Sequence, residues 1–122
     1  MDITKAQIIA TELMTKHLSS KWRLCWNEKI RIAGTCYKTK KLITLSKIYF
    51  FSNTESECID TILHEIAHAL CRKRGHNKYW RAWCVKIGAR PQRCYPNDCR
   101  VNKEKLIEYK LYQKTQKSQI KI

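Results

Sequence analysis

Apolar positions along the chain follow two periods in turn. Over residues 4–18, Ala6, Ile9, Ala10, Leu13 and His17 share one face at helical spacing, which predicts an amphipathic first helix. Thr4-x-x-Gln7 at its start is a capping-box pattern. The pattern then shortens. Trp22–Trp26 alternates like a half-buried strand, Ala33–Tyr37 reads as a second strand, and Leu42–Ser46, rich in β-branched residues, as a third. With turns at 27–29 and 38–41, the economical arrangement is a three-stranded antiparallel meander.

Helical spacing returns with Ile59, Ile62, Leu63, Ile66 and Leu70, predicting a helix over residues 55–72. Two overlapping caps launch it, Ser52-x-x-Glu55 and Thr54-x-x-Glu57. Arg72, Lys73 and Arg74 suit its C-terminal dipole, and Gly75 can take the left-handed stop. From Asn77 a third helix places Trp80, Trp83, Cys84 and Ile87 at i, i+3, i+4 and i+7, a core face, and ends at Gly88 and Pro91. Cys94 to Cys99 reads as a turn between two free thiols, and residues 102–114 as a marginal helix before a frayed basic tail. The expected division is one α+β domain over 1–99 and a basic extension over 100–122.

Composition narrows the class. The 122 residues suffice for one domain with a modest core. No apolar run reaches the roughly 20 residues a membrane span needs, so no membrane partner is expected. The N-terminus lacks the apolar centre of a signal peptide. Seven cysteines, an odd number without an export signal, fit free thiols in a reducing intracellular compartment, either cytoplasm and nucleoid or a eukaryotic nucleus. The formal charge of +15 is uneven: residues 1–60 carry 10 basic and 6 acidic side chains, residues 61–122 carry 15 and 4. A field this lopsided points to a polyanion, of which nucleic acid is the commonest, against the plainer reading of solvation.

The chemistry sits in the basic half. His64-Glu65-Ile66-Ala67-His68 is a His-Glu-x-x-His motif. On a helix His64 and His68 lie one turn apart on one face and can grip one metal ion. Glu65, rotated by about 100°, can serve a water at the metal as general base without being a ligand. His76 can supply the third ligand and leave a position open, as catalytic zinc requires. Asp60, one turn before His64, could orient that imidazole or be an exposed first-turn carboxylate. Arg72, Lys73, Arg74, Lys78 and Arg81 are the candidate nucleic-acid contacts, and Tyr79 and Tyr95 stand among the candidate oxyanion donors.

Taken in order, Ile43-Thr44-Leu45-Ser46, the stretch from Asp60 to Leu70, Gly75-His76 and Trp80 resemble the SprT-like zinc metallopeptidases, the group that includes the Spartan DNA–protein crosslink proteases. The likeness covers residues 5–95 and is nearest to compact phage- and virus-type members. It implies a small zincin-like domain with His64, His68 and His76 as zinc ligands and Glu65 as catalytic acid/base. Only Cys94 and Cys99 could belong to the four-cysteine ribbon many members carry, so one Zn2+ is expected. The expected function is a zinc-dependent metalloendopeptidase, a monomer, acting on DNA-bound or DNA-crosslinked proteins and holding DNA without sequence preference. The rivals are a basic DNA-binding module with a structural zinc, and a zinc hydrolase of another amide.

Overall fold

The computed structural model describes residues 1–93 and 99–120. Residues 94–98, with Cys94, Tyr95 and most of the expected turn, lie outside the described residues. Helix α1 (Ile3–His17) is followed by strands β1 (Arg23–Asn27), β2 (Gly34–Tyr37) and β3 (Leu42–Ser46). Four helices follow: α2 (Lys47–Ser52), α3 (Glu55–Leu70), α4 (Lys78–Ile87) and α5 (Lys103–Ile120). The α+β class expected from the sequence is the one observed.

The sheet is not the expected meander. Its order is β1-β3-β2, with β1 parallel to β3 and β2 antiparallel to it. The physical reason is burial. Ile43, Leu45 and Ser46 of β3 are enclosed, whereas Arg23 and Cys25 of β1 and Tyr37 of β2 face solvent. The most apolar strand takes the centre, where both of its edges are paired. Lys41, at φ 51°, closes the β2–β3 turn.

Helix α3 runs through the core with Cys58, Ile62, Ile66 and Ala67 inaccessible to solvent. Ala6 and Ala10 of α1 are equally enclosed, and their small size allows the two helices to approach closely. Asp2, not Thr4, caps α1, its carboxylate accepting from the Lys5 amide at 2.9 Å. Of the two predicted caps for α3, Thr54 and Glu57 form the reciprocal box. Helix α2 escapes the periodicity because Ile48, Tyr49, Phe50 and Phe51 are four apolar residues in a row, without helical spacing. Burial of the first three of these and the Ser46 side chain, which accepts from the Tyr49 amide, make it a helix. Helix α5 is longer than expected and packs Tyr109 and Tyr112 against Phe51, with ring centroids 5.6 and 4.9 Å away.

Candidate metal centre

The reciprocal cap and the buried face of α3 fix the orientation of its last two turns, and these carry His64, Glu65 and His68. The helix stops at Leu70, with Cys71 extended. Gly75 does not end it. Its φ of +86° instead bends the connecting loop, a conformation glycine tolerates, and so returns the chain to the helix at His76. Lys38, in the β2–β3 turn, pins that loop: its ammonium donates to the carbonyls of Cys71, at 2.5 Å, and Lys73, at 3.2 Å.

The three imidazoles converge. His76 Nε2 lies 3.2 Å from His64 Nε2 and 3.1 Å from His68 Nε2. One donor atom from each residue falls within 4.8 Å of the others. Trp80, fully enclosed, forms the floor. Its ring stacks on His68 at 5.1 Å and meets His64 and His76 edge-on at 4.7 and 4.6 Å. Its Nε1–H donates to the His64 carbonyl at 3.4 Å. The helix face holding Trp80 is capped by Asn77, whose side chain accepts from the amides of Tyr79 and Trp80.

Burial sets the protonation. Desolvation, then the neighbouring His76, lowers His64 to about 4. Desolvation, then His64 and His76, lowers His68 to about 3. His76 is lowered by desolvation and by Arg93 and Arg81. Near neutrality all three imidazoles are therefore uncharged, with lone pairs available, the form a metal ion takes. The donor set fits one metal ion. Glu65, 4 % exposed, is pushed up by burial to about 8.

Glu65 and the three histidines line one open cleft of about 790 Å³, walled on the other side by residues 31–40. Gly34 stands directly over Glu65: a Cβ at Gly34 would lie 3.1 Å from Glu65 Cγ, 3.1 Å from Leu45 Cδ2 and 3.2 Å from the Thr44 carbonyl.

Other expected residues fall in several places. Arg72, Lys73, Arg74, Lys78 and Arg81 are all exposed, the first three in the loop between two histidines and the others on α4. Arg74 alone of these five borders the cleft. Asp60 neither orients His64 nor sits free in solvent. It accepts from the Arg90 amide at 2.8 Å and from Arg90 Nε at 3.1 Å, tying α3 to the segment after α4. Tyr79 is exposed and does not line the cleft. Cys99 is buried, and its carbonyl accepts from Asn53 at 2.9 Å. Nothing in the sequence marks Gly34 or Lys38, whose partners lie some thirty residues away (from 34 to 65, and from 38 to 71 and 73). The one available signal was the rarity of glycine, 3 in the chain, inside a strand pattern.

A search of curated proteins found no match. Among solved structures, the chain is similar to the crystal structure of the metallopeptidase zymogen of Pyrococcus abyssi abylysin. Identity is 13%, the match covers 67% of this chain and 78% of that one, and the TM-score is 0.57. That likeness is one of fold. The model of the SprT-like family matches residues 5–101, a span that holds the whole sheet, all but the first two residues of α1, helices α2 to α4 and the three clustered histidines. On that match the chain belongs to the SprT-like family, and its membership supports a metallopeptidase-type function.

Proposed function

We propose that the protein is a zinc-dependent metalloendopeptidase acting on DNA-bound or DNA-crosslinked proteins. The observation that carries the peptidase reading is the meeting of three neutral imidazoles and one buried carboxylic acid in a single cleft. Among the described residues the group consists of three histidines, the donor number of a catalytic zinc site that keeps a position for water or substrate.

His64, His68 and His76 would hold one Zn2+, whose Lewis acidity polarises a carbonyl and acidifies water. This chain's residues supply the rest. Strand β2 is an edge strand along the cleft, so an extended peptide can pair with its backbone and lie across the site. Glu65 accepts the proton of the attacking water and returns it to the departing amine. Burial raises the proton affinity of Glu65, which suits it to hold the transferred proton, and a cation bound beside it would favour the carboxylate form that first accepts it. Trp80 and the Lys38-pinned loop keep the imidazoles in place while this happens.

Support for a DNA-attached substrate comes from the +15 charge and from the exposed cations at 72–74, 78 and 81 around the third histidine. DNA held on that face would bring an attached protein to the cleft. The test is cleavage of a protein crosslinked to DNA, beside the same protein free, by the zinc-loaded enzyme and by Glu65→Gln. The expected result is faster cleavage of the attached form and a loss of about 10²–10⁴-fold in Glu65→Gln. Equal rates for the two substrate forms would remove the DNA-directed part of the reading. Equal rates for the two enzymes would remove the peptidase part.

A further inference from the structure

The cleft has a one-sided charge that metal binding and proton transfer do not require. Five cations line it: Arg31, Lys38, Lys40, Arg74 and Arg93. Glu65 is the sole acid among the lining residues, and it is buried at the base. The ammonium of Lys38 is committed to two carbonyls of the loop. The other four side chains are exposed. The ion pairs among the described residues are Lys5–Glu55 and Arg90–Asp60, and neither uses a cleft cation. Four cations therefore face the groove without an acidic partner among the described residues.

Their placement follows the strand. Arg31 precedes β2 by three residues, and Lys40 follows it by three. Lys40 rests over the Tyr37 ring at 5.8 Å. Arg74 comes from the loop after α3 and Arg93 from the segment after α4. Positive charge thus stands at both ends of the edge that a substrate backbone would pair with, and a groove with low-dielectric walls focuses that field.

We propose that the cleft selects acidic peptide segments, with Arg31 and Lys40 receiving carboxylate side chains on either side of the scissile bond. The proposal rests on the peptidase reading and deepens it. A peptide is favoured over nucleic acid as occupant because the cations flank a strand edge. The backbone N–H and C=O groups of that edge complement an extended peptide and not a sugar–phosphate chain. Arg72, Lys73, Lys78 and Arg81 lie outside the cleft, so contacts to DNA and to peptide can be separated by substitution.

The experiment uses two peptides of equal length that differ only in carrying glutamate or lysine at positions roughly two to four residues to either side of the cleaved bond, the spread that cations at the two ends of β2 require. The zinc-loaded enzyme is expected to cleave the glutamate peptide with about three- to tenfold higher kcat/KM, the range two exposed ion pairs supply. The preference is expected to shrink as salt rises. Arg31→Glu combined with Lys40→Glu is expected to reverse it while melting temperature stays near that of the parent. Equal rates for both peptides, or a lysine preference in the parent enzyme, would overturn the proposal. If neither peptide is cleaved, the peptidase reading is what fails, and affinity of labelled peptides for zinc-loaded Glu65→Gln then decides the charge preference alone. A single-stranded oligonucleotide that displaces the glutamate peptide at lower concentration, and loses that ability on the same two reversals, would instead assign the cleft to nucleic acid.

Discussion

Gly34 and Glu65 are a matched pair: the strand residue has no side chain where the helix residue has one. A Cβ at residue 34 would lie 3.1 Å from Glu65 Cγ, with Leu45 Cδ2 and the Thr44 carbonyl as close on its other sides, so the Glu65 side chain would have to shift to admit it. Gly34→Ala is expected to destabilise by about 1–3 kcal/mol through overpacking. It should also displace the Glu65 carboxyl and cut turnover at least about tenfold, since small misplacements of catalytic groups are costly. Zinc content should be unchanged. A variant with parental turnover would show that the Glu65 position is not critical.

Metal content offers a direct check on the histidine group. Elemental analysis is expected to find one zinc per chain. His64→Ala, His68→Ala and His76→Ala should each lower that content and the melting temperature, because metal bound to the folded state alone adds stability, about 2.7 kcal/mol at a hundredfold excess over Kd. Chelation should lower the parent's melting temperature toward that of the variants. Two tightly held zincs would point to a second site that includes Cys94 and Cys99.

Lys38 is a positioning residue for the third ligand. Lys38→Met keeps most of the aliphatic stem but loses both bonds to the 71–73 loop. Zinc affinity should fall about 10- to 100-fold, as for other residues that orient ligands from behind. Lys38→Arg should recover part of it. Competition against a chelator of known affinity measures both.

Metal-free protein should be most stable near pH 6.5. The folded state keeps His64 and His68 neutral down to about 4 and 3, while the unfolded chain takes up protons from 6.5 downward, so stability falls as pH drops below 6.5. Glu65 acts in the opposite direction. The folded state holds its proton to about 8, while the unfolded chain releases it near 4.5, so stability falls as pH rises toward 8. Below 6.5 two histidines outweigh one glutamate, and above it the glutamate acts alone. Chemical denaturation of Glu65→Gln across pH 6.5–8 should therefore be flat where the parent slopes down.

Binding to DNA should depend steeply on salt and little on sequence, because the exposed cations at 72–74, 78 and 81 offer charge without a base-reading element. Affinity measured from about 50 to 200 mM salt should fall by orders of magnitude. Reversing the charges of Arg72, Lys73 and Arg74 should reduce the slope. An affinity flat with salt would exclude phosphate contacts.

Much of this molecule is local and therefore legible in the order of residues. The spacing of His64, Glu65 and His68 on one helix, the Thr54 cap and the apolar face of α3 each depend on neighbours three or four residues apart, the range over which helical periodicity carries information. The same holds for α1 and α4, including the left-handed stop at Gly88, φ +92°. His76 lies a short loop away from His68, and its convergence on the other two could be anticipated from that distance.

What the sequence could not decide is everything set by partners far along the chain. Strand order depended on which strand could best fill the centre of the sheet, and loop lengths say nothing of that. Asp60 found Arg90, Lys38 found the 71–73 loop, and Gly34 found Glu65, each across about thirty residues. The cations of the cleft are scattered from Arg31 to Arg93, and as sequence they are ordinary surface charge. Only closure of the sheet edge over α3 turns them into one field. A long-range contact costs chain entropy that the whole core must offset together, so its identity is a property of the packed molecule and is written in no single segment.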